Sequence, residues 1–260
     1  MKKLRALLGL CAVLALAVSA APAVADPTEG PPICSGSPAG VTAISGSYGN
    51  LTITGNRYVA SGTTLTVSGN LTLAPGACLD AFTVGTVNVR GNVLVGKGAI
   101  LALGCTPGSL GPPIPQPPCG TTTTKDTVGG NVVANHPYTM YLDGDTIHGN
   151  LVSNGGGPGL APGAPYVNLP VKDNTIDGNL IVQDWHGAWA GVIRDTVGGN
   201  VIFSRNMSVL DPDANEVVTN TISGNLICMG NSPAVQVGDS GGSPNNVGGR
   251  KIGQCTAPGL

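Results

Sequence analysis

Three short stretches of the sequence carry side chains suited to chemistry. Asp143 and Asp145 flank Gly144, and His148 follows three residues later. Two carboxylates and an imidazole on one surface are the equipment for acid–base attack on a glycosidic bond. A turn with a solvated acid pair is the competing reading. The segment Asp184-Trp185-His186-Gly187-Ala188-Trp189 holds both tryptophans of the chain. Two indoles on a loop make a stacking platform for sugar rings, with Asp184 and His186 placed to bind hydroxyls. Tryptophans folded back over the domain's flank are the alternative. Asp211, Asp213 and Asn215 put acid or amide oxygens at alternate positions, as in the first half of a calcium loop. Glu216 stands where such a loop needs glycine, so a polar turn competes with calcium there.

Other chemistries find less support. No Gly-x-Ser-x-Gly occurs in a strand-turn-helix setting, and His136, His148 and His186 sit in separate units without a Ser or Cys motif. The glycine-rich run 155–159 neither follows a strand nor opens a helix in a phosphate-cradling fingerprint. Asn50 and Asn70 open Asn-Leu-Thr glycosylation acceptors, but both fall inside a repeat that explains them without sugars. No Asn-Thr-Asp strand and no adjacent Asp-Asp pair is present, so the pattern of the β-helical polysaccharide hydrolases is not matched.

The elements that must position these residues are constrained by composition. Of 260 residues, 41 are glycine and 21 proline, 10% are charged and 41% hydrophobic. So much glycine and proline excludes helical bundles and coiled coils, while the hydrophobic share excludes ordinary disorder. Lys2, Lys3 and Arg5, the apolar run 7–18 and Ala23-Val24-Ala25 predict a cleaved signal peptide over 1–25. No other stretch approaches the roughly 18 apolar residues of a membrane span, so a secreted, extracellular chain with no transmembrane segment is expected. Without the three leader bases, nine bases stand against 14 acids, a charge of about −5. The bases are scattered singly, which argues against nucleic-acid binding.

Export leaves six cysteines, an even number for an oxidising compartment. The expected pairing is Cys34–Cys78 tying down the N-terminal end, Cys105–Cys119 clipping a Pro-rich insertion at 106–118, and Cys228–Cys255 joining the last two repeats. No Cys-x-x-Cys pair occurs, so zinc is the weaker reading, and no cofactor is expected.

Internal repetition sets the fold. A unit of the form apolar-x-Gly-Asn-apolar-x-apolar recurs with its Asn at 50, 70, 92, 131, 150, 179, 200 and 225, and ends at Arg250. Spacings of 19 to 29, with one of 39 across the insertion, are solenoid periods. Apolar residues alternate within each unit, which is strand periodicity. An all-β, single-stranded parallel β-helix of about nine coils over 41–260 is expected, preceded by a Pro/Gly-rich cap segment at 26–40. A second row, Asp126, Asp145, Asn174, Asp195 and Asn220, each followed by Thr, precedes five successive units. Stacked in register, these side chains bond turn backbone and one another.

The Gly-Asn units, the segment LTLAPGACL (71–79) and the ending GNLICMGN…NNVGGRKIGQC (224–255) resemble the secreted right-handed parallel β-helix proteins of actinobacteria. The spacing is also similar to that of bactofilins, which are cytoplasmic β-helix polymers; the signal peptide and cysteines depart from them. Neither likeness carries a catalytic residue onto this chain. The expected function is a non-enzymatic scaffold or a cell-surface or glycan-binding module, with a cell-wall or extracellular polysaccharide as partner. The alternative is a polysaccharide lyase or glycoside hydrolase of the pectin-lyase-like fold. Capped solenoid ends make a monomer the expected state.

Overall fold

The structure, a computed structural model, describes residues 33–36, 40–106, 122–165, 167–210, 212–238 and 243–256. The leader at 1–25, most of the cap segment 26–40 and all of the insertion 106–118 except Thr106 lie outside the described residues.

The alternating units become strands of two to five residues, each paired with its equivalent one coil away and always in parallel. Strands this short gain stability only by stacking on a neighbour. They build three sheets. The first has eight strands, from Thr42–Ala43 to Asn215–Val218; the second has nine, from Gly46–Tyr48 to Asn246–Val247; the third has nine, from Leu51–Ile53 to Lys251–Gly253. The chain visits the sheets in that order on each turn up to Leu226–Met229, after which the next described strand, Asn246–Val247, belongs to the second sheet. The result is an all-β parallel β-helix, as the repeat predicts, with about eight complete turns where the repeat count gives about nine.

One side of each strand fills the rod. In the third sheet Leu71, Val93, Val132, Leu151, Leu180 and Val201 stack in register, all fully buried. Each such side chain contributes about 1.5–3 kcal/mol by leaving water. The next residue of each strand points outward, giving the column Thr72, Leu94, Val133, Val152, Ile181, Ile202, Ile227 and Ile252.

The corners explain the polar repeats. Between the second and third sheets, each repeat Asn accepts the backbone N–H of its counterpart one coil later, at 2.8–2.9 Å from Asn70 N to Arg250 N. From Asn92 to Asn225 the amide N–H donates to the same oxygen at 2.9–3.3 Å. The preceding Gly is required because that Asn occupies its Cβ position: a Cβ on Gly91 would lie 2.5 Å from the Asn70 Oδ1. Sharp bends with left-handed backbone sit at the other two corners and use more than glycine. His136, Asp184 and Arg205 turn the chain from the third sheet to the first, and Asp173, Arg194 and Thr219 from the first to the second, all with φ between 52° and 61°.

Candidate binding surface

Between the first and second sheets the row Asp126, Asp145, Asn174, Asp195 and Asn220 runs sealed inside the wall, each 0–1% exposed, and extends to Asn245. Each accepts the backbone N–H of its neighbour one coil before it, as in Asp145 N to Asn174 Oδ1 at 2.9 Å and Asn174 N to Asp195 Oδ1 at 2.8 Å. Asn174 and Asn220 use their spare N–H on the carbonyls of Leu142 and Val192. Asp145 Oδ2 and Asp195 Oδ2 are buried without a partner. Burial raises both carboxyls well above the usual range and pushes Asp126 up to about 7. Such shifts often mark active sites. Here the groups face backbone, out of reach of any substrate.

That placement corrects the expectation for Asp143, Asp145 and His148. Both carboxyls are buried, at 2% and 1%, whereas His148 is exposed and paired through Nδ1 with Asp177 Oδ2 at 2.8 Å. The three do not share one surface. Asp211 of the calcium reading lies outside the described residues. Asp213 is exposed, but Asn215 is fully buried, its Oδ1 accepting from Ser208 Oγ and its Nδ2 donating to the Pro233 carbonyl. Among the described residues no three His, Cys, Asp or Glu side chains are grouped to hold a metal.

The segment 184–189 is split by the wall. Asp184 stands outside at the corner and holds Arg205 by two hydrogen bonds, 2.8 and 2.7 Å, which keep its carboxyl below the ordinary range. His186–Gly187 forms a small strand that pairs with Met207–Ser208, leaving His186 half-buried. Trp185 turns inward and is fully buried in the core. The stacking platform of two indoles is thus reduced to one, Trp189, half-buried on the outside of the first sheet.

Trp189 is the centre of the best-formed surface feature. Its ring extends along its own strand over Gly191, where a Cβ would lie 2.0 Å from Cη2, so only glycine leaves room for the indole. Lys172, on the preceding coil, places Nζ 4.9 Å from the ring centroid, within cation–π range. Burial lowers the Lys172 pKa, and Arg194 lowers it further, while Glu216, Asp143 and Asp173 oppose the shift. Arg194 holds Asp173 by two short hydrogen bonds, 2.7 and 2.6 Å. The arrangement offers an aromatic ring seated over glycine with a cation at its face. Sequence spacing could not show it, because residues 172 and 189 become neighbours only through register.

Two of the expected disulfides are present: Cys34–Cys78, with Cα atoms 5.8 Å apart, and Cys228–Cys255, at 5.2 Å. Cys105 is disulfide-bonded, and its expected partner Cys119 lies outside the described residues. No helix among the described residues is long and apolar enough to cross a membrane. Comparison with protein-family models, with curated proteins and with solved structures finds no match.

Proposed function

We propose that the chain is an exported, non-enzymatic β-solenoid scaffold that acts as a cell-surface or glycan-binding module, with Trp189 as its contact point. The seat of that indole carries the reading. A ring fixed over Gly191, with the Lys172 ammonium 4.9 Å from its centroid, supplies the aromatic face and polar edge that a sugar ring requires. The strongly shifted carboxyls support the same reading, since their burial in the wall makes them structural groups. The test is a glycan array probed with the folded protein and with Trp189→Ala. Binding that falls at least tenfold in the variant is expected; binding that survives unchanged overturns the assignment of the contact point.

One observation favours a second reading, a polysaccharide lyase. Lys172 has a lowered pKa and faces Glu216, Asp143 and Asp173, as a base removing a sugar C–H proton beside a carboxylate would. An assay for unsaturated uronide products on acidic polysaccharides separates the two. Product formed by the intact chain and lost in Lys172→Ala selects the lyase; none formed leaves the binding module.

A further inference from the structure

The outward column of the third sheet has no counterpart on the other two faces. From Leu94 to Ile252 it is aliphatic on seven successive rungs in strict register. Leu94, Val133 and Ile252 are 42%, 37% and 36% exposed, and the four between are half-exposed. On one side runs the repeat asparagine ladder, and on the other Asn135, Asn154, Gln183 and Ser204. No charged residue stands in these three columns between the Leu94 and Ile227 rungs. At the two edges His148 pairs with Asp177 and Asp184 with Arg205, while exposed Arg90 and Lys97 flank the Leu94 rung and Arg250 the Ile252 rung. Among the described residues no segment covers this face. Parallel sheets are ordinarily covered on both sides, and a contiguous exposed apolar strip marks a contact surface.

The period of the strip selects its occupant. Side chains recur along it at about 4.8 Å, the spacing of paired strands. A second copy of this chain presents the same period over the same length, so two strips interdigitate along their whole length in either direction. The aliphatic run spans seven rungs. At about 4.8 Å per rung and roughly 15 Å of width it covers on the order of 500 Å² per copy, or about 1,000 Å² in a pair. That is the size of a weak, reversible interface. Neutrality matters too, because the uncharged middle of the strip lets two copies of a chain with an acidic excess meet without setting like charges against each other. We propose that this face packs on the same face of a second copy, giving a two-fold symmetric dimer. The expectation of a monomer rested on capped solenoid ends and does not bear on a lateral face.

The experiment is sedimentation velocity of the full secreted chain from micromolar to millimolar concentration, repeated with Ile181→Asp and with Ile202→Thr. Both positions are outward, and Thr already stands in this column at Thr52 and Thr72, so Ile202→Thr keeps the fold if Ile181→Asp does not. A dimer whose dissociation constant rises at least tenfold in the folded variants is the expected result. A monomer throughout the range overturns the proposal. So does a dimer indifferent to both substitutions, which would use another face. Loss of glycan or lipid-vesicle binding in the variants, with no change in mass, would assign the strip to that ligand and also overturn it.

Discussion

The Oδ1 of Asn150 fills the space where Gly178, one coil later, would carry a Cβ, 2.6 Å from the built position. The same contact recurs along the rod, from Asn50 against Gly69 at 2.1 Å to Asn225 against Gly249 at 2.7 Å. Glycine and asparagine are therefore a single device spread over two coils. The glycine leaves the cavity, and the asparagine from below fills it while closing the corner through the N–H of Asn179. Neither residue is explained by its own turn alone.

Gly178→Ala is expected to destabilise the fold by about 1–3 kcal/mol, the range for a methyl forced into a packed site. Neither the Asn150 side chain nor the Gly149 carbonyl, at 2.7 Å, can retreat without breaking the ladder. Gly49 is the control, because it opens the series and a Cβ there meets nothing within 4 Å. Gly49→Ala should fall within about 0.5 kcal/mol of the parent, as surface changes do. Urea unfolding of the two variants checks the contrast, and equal losses would contradict the cross-coil account.

The buried acid row reverses the usual pH behaviour of carboxylates. An aspartate held neutral in the fold binds its proton at pH values where the unfolded side chain, titrating near 3.9, has lost it. Stability from each such group is full below about pH 4 and falls as pH rises toward the folded pKa. For Asp126 that window closes at about 7, and for Asp145 and Asp195 burial likewise carries it well above the usual carboxylate range. The slope is about 1.4 kcal/mol per pH unit for each group that titrates alone. Asp195→Asn should therefore raise the melting temperature at pH 7 and change it little at pH 4. The amide also fits: Asn174 and Asn220 donate to Leu142 and Val192, and Val171, aligned between those two, offers position 195 the same acceptor. Equal effects of Asp195→Asn at both pH values would contradict a neutral Asp195.

Much of this architecture is legible before any coordinates. Gly-Asn marks one corner per coil, and the Asp/Asn-Thr pairs mark another, because both ladders need one residue type on every turn. A third amide row at the remaining corner is not legible. Asn206, Asn231 and Gln254 donate and accept in series, but they cover only three coils, one is a glutamine, and their sequence neighbours form no repeat. Trp185 escapes detection for a local reason. Alternation ends at Gln183, and the left-handed Asp184, φ 57°, resets which side the next residue faces. A loop reading cannot follow that reversal, so the two tryptophans look alike in the sequence and separate in the structure.

The separation has an optical consequence. Trp185 is fully buried and Trp189 half-buried. In a Trp189→Phe chain the remaining emission should be blue-shifted and resistant to acrylamide, and in a Trp185→Phe chain red-shifted and quenchable. Trp185→Ala should cost about 3–5 kcal/mol, the usual range for removing a large core aromatic. Trp189→Ala should cost a fraction of that. Reversed quenching between the two Phe variants would place the wrong indole in the core.

The C-terminal disulfide is expected to act locally. Cys255, in the turn Gln254–Thr256, is tied to Cys228 in the strand Leu226–Met229, 27 residues away. Closing a loop of that length is worth about 3–4 kcal/mol by chain-entropy arithmetic. The strand it secures, Lys251–Gly253, is exposed at all three residues, so little apolar burial holds it otherwise. Each coil of a solenoid contacts only its neighbours, and a loss at one end does not spread evenly along the rod. The double variant Cys228→Ala, Cys255→Ala should lose amide protection over Asn246–Val247 and Lys251–Gly253 while Leu151–Asn154 and Leu180–Gln183 stay protected. Hydrogen exchange read by mass spectrometry distinguishes this from a global effect. Uniform loss of protection along the rod would mean that the coils unfold as one unit and that the disulfide stabilises all of them.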